Sequence, residues 1–338
     1  MVKSLDVSVV EDNDIRKVCR EGLQGWKQLE DSEIRISQLP GGITNVMWSA
    51  EASVDGVKPA RVAVRVFGSG ASVDRATENS IYRKLSELKV APEFLVDFGN
   101  GRVEMFLPGR TLTRTDIHEQ IISERIAEEL ARLHLVDLRG EDEVPEPTVW
   151  SLLDEWLKES LKIIPEIPSF PFDKKQLETS LRDAKQMATQ KYANSQVVFC
   201  HNDLLAANIL WDSDKQQIHF IDFEYGSFNP RGLDLGNHLA EWMGGTEDSI
   251  VHLASYPNAN QRYQFCQAYL RTLLSVEPDD DQVAELVDEV NFYSLVSHLH
   301  WGLWGLCQSV SSTLEFDYAL FGTNRLRAYF KYAEEFLK

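Results

Sequence analysis

The feature that most limits what this chain can fold into is a single change of hydrophobic period near residue 105. Upstream, IRISQLP, TNVMWSAEASV and RVAVRVFG carry the strand-like apolar and β-branched pattern, the last with clear two-residue alternation. Gly41-Gly42 separates the first two stretches and Asp55-Gly56 precedes the third, which predicts an antiparallel meander with its tightest turn at the glycine pair. EFLVDFG and RVEMFL, joined at Asn100-Gly101, read as a further hairpin. Helical spacing appears here only at residues 11–30, with Ile15, Val18, Cys19 and Leu23 on one side, and at 75–88, which ends before Pro92.

Beyond Pro108-Gly109 the helical period takes over. IISERIAEELARLHLVDL is amphipathic, and residues 150–163, 174–192, 234–242, 260–275, 281–310 and 324–337 are predicted helices. An acidic, proline-bearing loop (GEDEVPEP) lies at 140–147, and short strands interrupt the helices within VVFCHNDLLAANILWDSDKQQIHFIDFEYG. The expected class is α+β with two lobes, a sheet-rich one over 1–107 and a mainly helical one over 108–338. A length of 338 residues accommodates that division.

Charge and cysteine usage narrow the function. The formal charge is −19, from 34 basic and 53 acidic residues, which opposes a phosphate backbone and argues against nucleic acid as a partner. Cys19, Cys200, Cys266 and Cys307 are far apart and form no C-x-x-C pair, so neither a zinc site nor a disulfide framework is expected. The opening MVKSLDVSVVEDND has no apolar core of a signal peptide, and no run reaches the roughly 18 apolar residues of a membrane span. A cytoplasmic location is the expectation, with self-association into a homodimer left open.

The densest polar chemistry lies in CHNDLLAANIL, residues 200–210, where His201, Asn202, Asp203 and Asn208 precede or interrupt apolar side chains. An aspartate and an asparagine at this separation bracket a small site: the carboxylate can take a proton from a hydroxyl nucleophile, and the amide oxygen can bind a metal. IHFID then ends a short strand on Asp222, whose carboxylate completes an all-oxygen Mg2+ set. Glu224, two residues on, points to the same side of an extended segment. It is read either as a ligand of a second metal or as a helper carboxylate bonded to backbone. His201 alone reads as an orienting core residue.

These segments resemble the eukaryotic-kinase-like phosphotransferases, and more narrowly the choline/ethanolamine kinase family. HNDLLAANIL, IDFEY and NPRGLDLGNHLAEW carry the resemblance, together with PGGITNVMW, VAVRVFG, EMFLPGR and HLHWGLWGL. It runs from about residue 35 to 335 and implies a two-lobed protein-kinase-like fold, with a small antiparallel-sheet lobe and a larger helical lobe. Protein kinases are less similar, since the histidine-arginine-aspartate loop is absent.

The resemblance implies ATP and Mg2+ as cofactors and a role for each position. Asp203 is the base, and Asn208 and Asp222 hold the metal against the triphosphate. Gly41, Gly42 and Asn45 belong to the phosphate loop, and Arg65 supplies the cation on the phosphates. Glu78 pairs with Arg65 and fixes its rotamer. Met105 and Leu107 offer backbone groups to adenine. Asp234 and Arg231 brace the catalytic loop. Glu241 pairs with a cationic amine, Trp301 and Trp304 form its walls by cation–π attraction, and Glu315 and Phe321 close the pocket.

The implied substrate is a small amino alcohol. Ethanolamine and choline share the hydroxyethyl arm and differ at nitrogen: a trimethylammonium has no N–H and favours an aromatic cage, whereas a primary ammonium needs acceptors. Choline kinases commonly carry glutamine two residues after the catalytic aspartate, where this chain has Leu205. The segment after Trp242 reads MGGTED, with no aromatic until Tyr256, where the choline branch supplies a cage tyrosine. Ethanolamine is therefore favoured, as the first step towards phosphatidylethanolamine. Choline or dual specificity is the alternative. A catalytically silent kinase-like scaffold is the alternative of another class, against which the intact Asp203, Asn208 and Asp222 argue. The tryptophan pair disfavours an aminoglycoside or methylthioribose phosphotransferase.

Overall fold

The computed structural model describes residues 2–39, 45–68, 75–139, 145–312 and 314–337. Gly41 and Gly42 of the expected phosphate loop, and the turn between them, lie outside the described residues. The chain divides into two compact units, Met1–Arg110 with Leu210–Glu224, and Thr111–Ile209 with Tyr225–Lys338. The difference from the expected division is that residues 210–224 fall in the first unit.

The first unit is built on a six-stranded sheet. Its strands are β1 (Lys3–Leu5), β2 (Ile34–Gln38), β3 (Asn45–Ala52), β4 (Arg61–Phe67), β5 (Phe94–Phe98) and β6 (Gly101–Met105), in the order β1-β5-β6-β4-β3-β2. The β1–β5 pair is parallel and the other pairs are antiparallel. On β4, Val62 and Val64 pack into a core with Ile15, Val18 and Cys19 of α1 (Asp12–Gly22), and with Val96 and Val103. The two-residue period sends Arg65 to the opposite face, where it is nonetheless only 2% exposed. Its cross-strand partner is another buried cation, Arg102. Like charges facing one another are unfavourable, so carboxylates must lie between and around them; β6 supplies Glu104 and α2 (Arg75–Glu87) supplies Glu78.

Residues 210–224 are tied into this unit by close contacts. Gly109, at φ +113°, leaves no room for a side chain: a Cβ there would lie 2.6 Å from the carbonyl oxygen of Trp211. Phe223 meets the ring of Tyr82 edge-on at 6.4 Å.

The second unit is helical: α3 (Gln120–His134), α4 (Thr148–Ile163), α5 (Lys174–Gln190), α6 (Arg231–Glu241), α7 (Ala259–Leu274), α8 (Asp280–Ser311) and α9 (Tyr318–Phe336). Two short strands, β7 (Val197–Cys200) and β8 (Ser227–Pro230), pair antiparallel. The long α8 is the centre of the core. Leu295, Val296, Leu299, Leu303 and Leu306 pack with Leu153 of α4, Leu233 of α6 and Leu326 of α9. Glycine allows α8 and α9 to approach closely, since a Cβ on Gly322 would stand 2.6 Å from the Gly302 carbonyl oxygen. Cys19, Cys200, Cys266 and Cys307 are free thiols. Among the described residues no helix is long and apolar enough to cross a membrane.

Candidate active site

In the first unit the candidate residues form a buried chain of alternating charges. Arg65 donates from Nη1 to Asp222 Oδ1 at 2.9 Å and from Nε to Glu104 Oε1 at 3.3 Å. The same Glu104 oxygen accepts from Arg102 Nε at 2.6 Å. Arg102 Nη1 continues to Glu78 Oε1 at 2.9 Å, and Arg75 Nη1 reaches Glu78 Oε2 at 2.7 Å and Glu224 Oε2 at 3.6 Å. Glu224 also accepts from Asn45 Nδ2 at 3.2 Å. Burial works against the charge on Arg65, but the carboxylates of Asp222 and Glu104 outweigh it and hold the guanidinium firmly protonated. Burial likewise opposes ionisation of Glu104, and Arg102 and Arg65 reverse the effect, lowering its pKa.

This geometry corrects one sequence expectation. Glu78 does not orient Arg65; it is bonded to Arg102 and Arg75, and Glu104 takes the expected place. The cause is the sheet register, which sets Arg102 directly across from Arg65 and within reach of α2. Glu224 is bonded to side chains, Asn45 and Arg75, rather than to backbone alone. Met105 ends β6 with its N–H donated to the Glu93 carbonyl, so only its C=O can face a ligand; Leu107 follows in irregular backbone.

In the second unit, β7 delivers His201, Asn202 and Asp203 onto a carboxylate brace. Asp234, wholly buried in the first turn of α6, accepts the backbone N–H of His201 and of Asn202, each at 2.8 Å, and His134 Nε2 at 3.0 Å. His134 is fixed through Nδ1 by the Tyr269 hydroxyl at 2.9 Å. Burial raises the cost of the Asp234 charge, and the contacts with His134 and His201 together more than offset it, so the pKa is lowered. His134, Cys200 and Asp234 lie within ligand distance of one another. They do not read as a metal centre, because burial pushes the Cys200 thiol far up, away from thiolate, and the other two are spent on each other.

Asn202 sits at φ +64°, a region that Asn tolerates better than most residues. Its side chain is bonded to the Tyr225 carbonyl at 2.9 Å, to Ser227 Oγ at 2.9 Å and to Asn229 Nδ2 at 3.0 Å. Asp203 then emerges half-buried. A turn of 3-10 helix over Ala206–Asn208 folds Asn208 back, so that its Nδ2 donates to the Asp203 carbonyl at 2.8 Å and to Asp203 Oδ2 at 3.0 Å. With its amide nitrogen on Asp203, Asn208 turns its oxygen away, which is the atom a hard cation requires. Arg231 braces elsewhere, through Glu289 at 3.0 Å.

The expected amine-site residues gather around α8. Trp301 meets Trp304 edge-on at 5.1 Å and Tyr225 at 5.5 Å, and Trp304 meets Tyr318 at 5.6 Å and Phe321 at 6.4 Å. Tyr225 and Tyr318 were missed from sequence; they come from a loop and from the start of α9. The aromatic surround is therefore fuller than the MGGTED segment implied. Glu315 is exposed, and its neighbour Phe316 packs on Phe321 instead. Glu241 is buried and its Oε1 is already taken by Arg325 Nη1 at 2.9 Å, a partner the sequence reading did not identify.

Comparison with known proteins gives a consistent picture. The family model described as choline/ethanolamine kinase matches residues 36–330. A probable ethanolamine kinase A of Dictyostelium discoideum is 32% identical over 331 residues, covering 95% of this chain and 91% of that protein. Among solved structures, a choline kinase from Cryptosporidium parvum superposes with a TM-score of 0.83 at 24% identity, over 97% of this chain and 96% of that one. A Plasmodium vivax ethanolamine kinase does so with a TM-score of 0.78 at 25% identity, over 96% and 91%.

Proposed function

The chain belongs to the choline/ethanolamine kinase family, and from that premise we propose that it transfers the γ-phosphoryl group of ATP to the hydroxyl of ethanolamine. The observation that carries the reading is the joint presence of the Asp203–Asn208 pair on the braced loop and of the Arg65–Asp222 ion pair in the sheet unit. Each is a part that phosphoryl transfer needs, and a silent scaffold has no use for both.

Asp203 accepts the proton of the substrate hydroxyl as that oxygen attacks the phosphorus. Asn208, held to it by its amide nitrogen, fixes the carboxylate's orientation. Arg65 neutralises phosphate charge, oriented by Glu104 through Nε. Asp222 and Glu224 offer carboxylate oxygens and Asn208 an amide oxygen, each a hard donor of the kind Mg2+ takes, and the ion when bound would offset the charge of the triphosphate. Trp301 and Trp304 offer ring faces to an ammonium group, and Leu205 supports the ethanolamine branch.

The reading is tested by measuring ATP consumption with and without Mg2+ and ethanolamine. Consumption that requires both is expected, and Asp203→Ala is expected to lower turnover by about 1,000-fold or more with nucleotide affinity within a few-fold. Near-normal phosphoethanolamine formation by that variant would overturn the role of Asp203.

A further inference from the structure

We infer that Arg325 is a positioning residue of the amine site, one that converts Glu241 from a bare negative charge into a fixed hydrogen-bond acceptor and so favours a primary over a quaternary ammonium. The inference rests on the phosphotransferase reading above.

Arg325 is wholly buried on α9, four residues after Phe321, with its guanidinium 5.9 Å from that ring. It donates from Nη1 to Glu241 Oε1 at 2.9 Å and from Nη2 to Ser297 Oγ at 3.2 Å. Ser297 lies 2.8 Å from Asn237 Oδ1, and Trp301 Nε1 donates to the same oxygen at 2.7 Å. The direction of every proton follows from chemistry. A guanidinium and an indole N–H can only donate, so Ser297 accepts from Arg325 and passes its hydroxyl proton to Asn237, whose oxygen must face Trp301. Arg325 thus fixes both the carboxylate and, through two residues, an aromatic wall.

The electrostatic consequence bears on selectivity. The Glu241–Arg325 pair carries no net charge, so it offers little to a trimethylammonium, which interacts by charge and ring faces alone. Glu241 Oε2 remains as an acceptor, which only an N–H donor can use. Burial raises the Glu241 pKa and Arg325 opposes that rise. The other ionisable groups around the pair are Glu247, which opposes ionisation of Glu241, and His298 and His300 of α8, both kept neutral first by burial and then by Arg325.

The test compares Arg325→Gln, Arg325→Lys and the Arg325→Gln/Glu241→Gln double variant with the wild type. The expected result for Arg325→Gln is an ethanolamine KM raised about 10-fold or more, as for loss of a charge-assisted hydrogen bond, with choline KM and kcat moved far less. Its ethanolamine KM also rises more steeply than that of the wild type as pH falls, because Glu241 loses its counter-ion and protonates more readily, and Arg325→Lys restores most of both properties. Equal KM changes for the two amines, or a fall in kcat alone, would overturn the inference. Where Arg325→Gln does not fold, the double variant decides, since it leaves no uncompensated charge: lost discrimination between the amines supports the inference, and intact discrimination overturns it. Titration of 13C-carboxyl-labelled glutamate by NMR, assigned with Glu241→Gln, gives a readout independent of turnover. A Glu241 carboxyl that titrates higher in Arg325→Gln than in the wild type supports the inference even if the wild type phosphorylates neither amine, and an unmoved one sinks it even if the kinase reading holds.

Discussion

Two short segments carry most of the polar chemistry, His201–Asp203 and Asp222–Glu224, and they are held by opposite means. Each contains a residue at positive φ, Asn202 at +64° and Asp222 at +66°, a conformation that persists only where its surroundings fix it. The first is held through its backbone by one buried carboxylate, Asp234, which takes two consecutive N–H groups and a histidine, with the Asn202 side chain adding bonds to Tyr225, Ser227 and Asn229. The second is held through its side chain, by Arg65 on Asp222. The groups of the backbone brace have no proposed contact with substrate or nucleotide, so the reaction does not require them to change partners. An ion pair between a proposed phosphate-binding cation and a proposed metal ligand must be shared with the nucleotide. In the first region the groups that brace are separate from the proposed base, Asp203; in the second the groups that hold the segment are themselves the proposed phosphate and metal ligands.

Among changes to the groups that hold the two segments, removing the brace has the largest expected effect. Asp234→Asn leaves at least one buried donor without a charged acceptor, and we expect about 100-fold lower turnover and about 3 kcal/mol lower unfolding free energy. Urea denaturation and steady-state kinetics read the two losses. Undiminished stability would mean that the loop holds itself. Disturbing the ionic region should separate the same two quantities. Arg65→Lys keeps the charge but not the fork that spans Glu104 and Asp222, so kcat/KM for ATP should fall about 10- to 30-fold with a smaller change in stability than in Asp234→Asn. Glu104→Gln should lower it more than Glu78→Gln; the reverse order would restore Glu78 to the role the sequence first gave it.

The smallest effect is in acid. Burial lowers the pKa of His238 to about 4 and of His300 to about 3. Their unfolded forms bind protons from about pH 6.5 downward while the folded forms do not, so stability is lost as pH falls below that value, by about 1 kcal/mol for each histidine at pH 6. The lowered pKa values of Asp234 and Glu104 act later, as pH falls below the ordinary carboxylate range towards their folded values. Both histidines belong to the second unit. Hydrogen exchange between pH 7 and 5 should loosen α6 and α8 before the sheet of the first unit. Simultaneous loosening would contradict this assignment.

Much of this was legible in the sequence, because its signals are local. The D-x4-N spacing fixes Asp203 and Asn208 on one turn, and the helical period located the helices of the second unit. What escaped depends on distant partners. Strands β1 and β8 are three and four residues long and exist only through their pairing with β5 and β7. Glu104 and Arg102 looked like ordinary alternation on β6 until the register set Arg102 against Arg65. Arg325 did leave a trace: it follows Phe321 by one helical turn and so is an arginine on an apolar face. The apolar Leu204–Ala207 stretch is buried only at Leu204, whose carbonyl accepts from His238 at 3.0 Å, while Ala207 is exposed.

The account stands most directly on a competition experiment. Wild-type protein is given ATP, Mg2+ and equal concentrations of ethanolamine and choline, and the phosphorylated products are resolved by 31P NMR. Phosphoethanolamine as the main product is the predicted result; mainly phosphocholine would contradict the substrate assignment, and no phosphorylated amine would contradict the proposed function.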